Sequence, residues 1–151
     1  MSAIYRLSLP RRLTNLLVRP LIRLGLSGAM HLLVVPGRTT GRLYSTPVKL
    51  VDRDEARWLV APYGERSWVK NARAAGRVEL RHGRRVETMR VVEADPATAA
   101  PVLRDYLRAT PVTQRFFDVL PGSPLEAFVA EAPRHPVFRL EIDHGGVSNR
   151  L

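Results

Sequence analysis

The chain has 151 residues and no cysteine. That length suits a single domain able to bury a core without staples, and it excludes disulfides, a thiolate nucleophile and any cysteine-based metal site. The net charge of +10 points to anionic partners such as nucleotide phosphates, an acidic membrane surface or nucleic acid. Part of that charge is ordinary solvated surface: nearly all of it is arginine, with Lys49 and Lys70 the only lysines, a skew that codon bias also produces.

No apolar run approaches the roughly 20 residues needed to cross a bilayer, and the N-terminus lacks the pattern of a secretory signal. A cytoplasmic protein, in peripheral contact with the membrane, is expected. The contact falls to residues 4–24, where Leu9, Leu13, Leu17, Leu21 and Leu24 recur at helical spacing opposite Arg12, Arg19 and Arg23. Such a stripe also packs on a protein body, and Pro20 divides the segment. Three regions are expected: an amphipathic leader over 1–27, a barrel over 28–143 and a tail over 144–151.

Gly25 and Gly28 end the leader. Met30–Val35 is a short apolar run bounded by turn residues and reads as a strand. Ser45–Val51 and Arg57–Ala61 follow as strands joined by the polar turn Asp52–Glu55. Ser67–Ala75 reads as a short helix stopped by Gly76. Val78–Arg81 and Val86–Glu93 form a second hairpin about His82-Gly83. Asp95-Pro96 starts a helix that runs to about Arg108, where Pro111 restricts Thr110.

Residues 112–120 suggest a helical turn. Ser123-Pro124-Leu125-Glu126 has the form of a capping box opening a helix to about Ala132. Phe138, Leu140 and Ile142 alternate with Arg139 and Glu141 in a last strand. About six short strands with flanking helices predict an α+β fold built on a mostly antiparallel sheet or small barrel. No G-x-G-x-x-G is present, so a Rossmann domain is not expected.

The histidines, His31, His82, His135 and His144, are not spaced as metal ligands on one element and read as structural or surface residues. No metal is expected. The acidic cluster Asp52, Asp54 and Glu55 sits in a turn, where solvation is the default. No nucleic-acid motif or aromatic stacking platform lies among the arginines, so nucleic acid is not an expected partner.

Two loops carry more information. In Gly37-Arg38-Thr39-Thr40-Gly41-Arg42, guanidinium forks and hydroxyls suit phosphate or carboxylate oxygens. In Ala61-Pro62-Tyr63-Gly64 the chain turns just before a helix start, where free N–H groups favour a negative ligand. Together the loops point to an anionic cofactor.

The order Gly37-Arg38-x-Thr40-Gly41, then Pro47, then Val60-Ala61-x-Tyr63-Gly64, then Trp68-x-x-Asn71 resembles the deazaflavin-dependent nitroreductase and quinone reductase family, typical of actinobacteria. The resemblance covers roughly residues 28–92 and runs more loosely to Ile142. It implies a split β-barrel of the FMN-binding type, the coenzyme F420 as cofactor, and hydride transfer to a quinone-like or other activated acceptor. By the same resemblance Arg38, Thr40 and Gly41 belong to the loop that meets the phosphate and glutamate tail. Ser45 and Pro47 flank the ribityl chain and ring. Ala61, Pro62, Tyr63 and Gly64 lie along the deazaflavin, offering backbone N–H groups to its pyrimidine edge, with Trp68 and Asn71 on the helix beside it.

Two departures stand out. Tyr44 occupies a position usually held by an arginine, for which Arg42 is a substitute. Pro62 replaces a serine implicated in substrate protonation in active nitroreductases, and proline has neither hydroxyl nor N–H. No catalytic residue is assigned. FMN or haem in the same barrel, or a non-catalytic module that binds lipid or membrane, remain the alternatives.

Overall fold

The computed structural model describes residues 30–143. The expected amphipathic leader over 4–24, the tail and His144 lie outside the described residues. Six strands form a closed barrel: β1 (Met30–Pro36), β2 (Leu43–Arg53), β3 (Ala56–Val60), β4 (Arg77–His82), β5 (Arg85–Glu93) and β6 (Val137–Ile142). Their order around it is β1-β2-β3-β6-β5-β4, and every pairing is antiparallel. Among the described residues three helices flank it: α1 (Ser67–Ala75), α2 (Pro96–Ala109) and α3 (Leu125–Glu131). The expected split β-barrel is the fold observed.

Alternation along the strands fills the barrel. Leu33, Val35, Leu50, Leu59, Leu80, Met89, Phe138 and Leu140 form one cluster, closed by Val69 and Ala72 of α1. Removing apolar area of this kind from water stabilises by about 1.5–3 kcal/mol per large side chain. A second core lies outside the wall. There Leu103, Tyr106 and Leu107 of α2 meet Phe128 of α3, with Trp58 and Val60 on the barrel side. Ile142, which continues the alternation at the end of β6, is exposed.

Local chemistry explains the boundaries. β2 is longer than expected because Leu43 to Lys49 pair with β1 and Leu50 to Arg53 with β3. Pro47 therefore falls where β2 has a partner on one side only, a place where sheets tolerate proline. The β2–β3 turn puts Asp54 and Glu55 at φ 53° and 59°, the left-handed conformation a tight hairpin demands. Gly76 caps α1 at φ 73°, its N–H donating to Ala72 O at 2.8 Å. Asp95 caps α2, accepting from the Thr98 amide at 2.8 Å.

Three readings need correction. The second hairpin turns at Gly83-Arg84, because His82 is the last residue of β4, paired with Arg85, and its Nδ1 lies 2.9 Å from Met30 O. The capping box at Ser123 does not form. The Ser123 hydroxyl instead accepts from the Leu120 amide at 2.9 Å, and α3 begins at Leu125 without a side-chain cap. Residues Pro111–Phe116 form a single 3₁₀ segment, and a second short one, Ala132–Arg134, follows α3.

Candidate cofactor site

The first loop is a tight return between β1 and β2. Gly37 N donates to Arg42 O at 2.7 Å and Gly41 N to Gly37 O at 2.9 Å, with Gly41 at φ 71°. The Thr40 hydroxyl accepts from the Arg42 amide at 3.2 Å. A side chain at Gly37 would be crowded: a Cβ there would meet Tyr44 Cε2 at 2.9 Å, Thr40 Oγ1 at 3.1 Å and Arg42 O at 3.3 Å, so the Tyr44 ring would have to shift.

Across from this loop, α1 presents its first residues. Asn71 is buried, and its carboxamide oxygen accepts from both the Arg38 amide, at 3.1 Å, and Arg38 Nη1, at 2.8 Å. One buried side chain thus fixes the backbone and the guanidinium of the loop. Between loop and helix runs a groove of ≈ 660 Å³, into which Arg38, Thr40, Arg42, Tyr44, Ser45 and Trp68 face together with Asn71. Its lining contains two arginines and five hydroxyl side chains of Ser or Thr, and no carboxylate. Ser67 and Trp68 bring the start of α1 to it; that helix has no acidic residue in its first turn and no side-chain cap. The first amides of a helix have no intrahelical acceptor and favour an anion. Trp68 packs its ring 6.3 Å from Phe138, so it serves both groove and core.

The second loop is placed differently. Ala61, Pro62, Tyr63 and Gly64 do not line this groove, nor do Gly41 and Pro47. Ala61 N donates to Pro136 O at 2.9 Å and Gly64 N to Ala61 O at 3.3 Å, while Pro62 has no N–H to give. The expected row of N–H groups along 61–64 is therefore narrowed, because Ala61 and Gly64 already donate within the protein. Gly64 holds φ 87°. Tyr63 stands at the surface with its ring edge-on to Phe116, centroids 4.8 Å apart.

Behind this loop lies a cluster that no sequence motif marks. His135 and Glu131 are both buried. His135 Nδ1 is 2.8 Å from Pro62 O and Nε2 is 2.8 Å from Glu131 Oε1. Glu131 also accepts from the Asp118 amide at 3.1 Å and pairs with Arg134, which itself pairs with Asp118. The only sequence signal was a Glu four residues before a His at a helix end. The nearby phenol of Tyr106 is buried, and burial pushes its pKa far above the ordinary tyrosine value. It stays neutral across the working pH range. Among the described residues no three His, Asp or Glu side chains group as a metal site.

The family model described as F420H(2)-dependent quinone reductase matches residues 17–116. The chain belongs to this family. As a member of the F420H(2)-dependent quinone reductases it is an F420H2-dependent oxidoreductase in class. Among solved structures it is similar to an F420-H2 dependent reductase, FDR-A, at 20% identity and TM-score 0.54, covering 76% of this chain and 95% of that one. It is also similar to a NimC/NimA family protein from Clostridium acetobutylicum, at 11% identity and TM-score 0.52, covering 86% and 88%. General Stress Protein 26 from Bacillus anthracis str. Sterne is similar at 10% identity and TM-score 0.51, covering 84% and 89%. At these identities the structural likenesses carry the fold alone. No curated protein matches the chain.

The residues of the groove fit an anionic cofactor of this class. Carboxylate-free walls, two guanidinium groups and a glycine whose missing Cβ leaves the loop tight are what phosphate and carboxylate oxygens need.

Proposed function

We propose that the protein is an F420H2-dependent oxidoreductase that passes reducing equivalents to a quinone-like or other activated acceptor, with Arg38, Thr40 and Arg42 holding the anionic tail of the cofactor. The observation that carries this is the Asn71-braced Arg38 loop facing a carboxylate-free groove. When bound, the deazaflavin supplies hydride chemistry, which the protein has no side chain to perform.

The chain's own residues bind and orient. Arg38 offers guanidinium N–H groups beyond the one spent on Asn71. Ser45 and Trp68 lie further along the groove, in reach of the cofactor's ribityl chain and ring. The loop Ala61–Gly64 supports the reaction through its fixed backbone, and Tyr63 and Phe116 supply apolar surface for a flat acceptor. No hydroxyl stands at Pro62, which favours acceptors that need no protein proton donor.

The test is anaerobic oxidation of F420H2 by a soluble quinone and by a bicyclic nitroimidazole, followed by deazaflavin absorbance. Quinone turnover with slow or absent nitroimidazole turnover is expected. Turnover of neither, by protein that binds F420, would remove the quinone-like acceptor. FMN as the alternative cofactor is separated by the spectrum of the purified protein, where a tightly held yellow flavin would replace F420. Residues 4–24 are proposed to rest on an acidic membrane surface; five arginines and no acid lie in residues 1–29. Sedimentation with phosphatidylglycerol vesicles, lost on removing those residues, is the expected result.

A further inference from the structure

The Glu131–His135 cluster has a cost that its surroundings must explain. Taking an ionisable pair out of water offsets most of what the pair returns, and well-packed apolar residues often do as well. Its distinctive property is position. His135 Nδ1 faces the Pro62 carbonyl, which only accepts, so Nδ1 carries the hydrogen and donates. The Glu131 carboxylate gathers His135 Nε2, the Asp118 amide and the Arg134 guanidinium. The ring of Phe117 stacks on the His135 imidazole at 3.9 Å and 15°. Three segments distant in sequence therefore converge on one imidazole: the loop at Pro62, the stretch Phe117–Asp118 and the end of α3.

One further tie joins the loop to the stretch that carries His135: Ala61 N donates to Pro136 O at 2.9 Å. Proline at 62 has surrendered its own N–H, so its carbonyl is the only backbone handle left at that position. His135 takes that handle. Phe116, next to the stacked Phe117, is the residue against which Tyr63 packs.

We propose that His135 is a positioning residue: through the Pro62 carbonyl it sets the Ala61–Gly64 loop, and through Phe117 it sets the wall that Phe116 shares with Tyr63. One side chain thereby keeps the two in register. The role in turnover rests on the F420H2 reading given above; the role as loop anchor does not. Misplacing a reaction surface by about 1 Å costs on the order of 10²-fold in rate. An anchor of this kind acts on kcat more than on KM, because it sets geometry and touches no substrate.

The experiment compares His135→Leu, His135→Asn and His135→Gln with the unmodified protein. Backbone amide hydrogen exchange is read at residues 61–66 against the amides of α2, together with F420 affinity and the kcat and KM for a soluble quinone. Asn reaches Pro62 O from the Nδ1 side of the ring, whereas Gln reaches toward Glu131. His135→Leu is expected to speed exchange at 61–66 selectively and to lower kcat on the order of 10²-fold with little change in KM. His135→Asn is expected to restore slow exchange and most of kcat, and His135→Gln to restore neither. Wild-type exchange and kcat in a folded His135→Leu protein would overturn the proposal. If the leucine variant does not fold, equal exchange and kcat in the Asn and Gln variants would overturn it. Should the unmodified protein not bind F420, the functional reading fails while the exchange at 61–66 still judges the anchor.

Discussion

The side chain of Asn71 accepts two hydrogen bonds from Arg38, one from its amide and one from its guanidinium, across 33 positions of sequence. Asn71 is almost wholly buried, and it braces the loop from the helix side of the groove that both residues line. A hydrogen bond to a charged group is worth about 1.5–3 kcal/mol, and about 1.4 kcal/mol is tenfold in affinity. Asn71→Ala is therefore expected to weaken F420 binding on the order of tenfold or more. Because the effect runs through Arg38, Arg38→Ala with Asn71→Ala should bind hardly worse than Arg38→Ala alone. A double-mutant cycle read by F420 fluorescence checks this, and additive losses would separate the two residues.

Arg38 itself is expected to act on the tail of the cofactor. Arg38→Ala should weaken binding of F420 bearing its full glutamate tail more than binding of the tail-free form, since a guanidinium facing tail anions contributes little to the ring. Equal losses in parallel titrations would place Arg38 elsewhere.

Gly37 sits where a side chain would crowd the loop. Any Cβ would press on Tyr44, Thr40 and the Arg42 carbonyl at once, and that carbonyl is the acceptor of the Gly37 amide. Gly37→Ala is expected to reduce F420 affinity while leaving thermal stability close to that of the parent, because the barrel core is untouched. A large fall in melting temperature with unchanged affinity would reverse that assignment.

Pro62 is proposed to set the choice of acceptor. General-acid help contributes on the order of 10²–10⁴ in rate, and proline provides none. Pro62→Ser is expected to raise nitroimidazole reduction with quinone turnover little altered. Its amide exchange should match the parent, as the carbonyl facing His135 is retained. No gain in a folded variant that binds F420 normally would show that the missing hydroxyl is not limiting.

Asp95 predicts an acid sensitivity. The Thr98 amide, first among its partners, holds the Asp95 carboxyl below the ordinary aspartate range. A lowered folded value means the stabilisation is present above the unfolded pKa and is lost as pH falls through the folded one. Asp95→Ala should lower the melting temperature at neutral pH, and the gap from the parent should close in strongly acidic buffer. A gap independent of pH would assign the cap to something other than charge.

The barrel was legible in the sequence because its cues are local. Gly76 stops α1, Asp95-Pro96 opens α2, and period-two alternation marks β6. Ser123 misled because a hydroxyl that fits a capping box served a turn instead, accepting from Leu120. In the site, Arg38, Thr40, Tyr44, Ser45, Trp68 and Asn71 were marked by sequence and do face one groove. The brace from Asn71 to Arg38 was not legible, since a side chain–side chain bond leaves no periodic trace. His135, expected to be structural or surface, is buried, and its partner Pro62 is not legible because it lies 73 residues away.

Titration of the purified protein with F420, followed by deazaflavin fluorescence in low and moderate salt, tests cofactor binding most directly. A saturable change at micromolar cofactor, diminished by Arg38→Ala, is expected. No saturable change in protein shown to be folded by circular dichroism would contradict it.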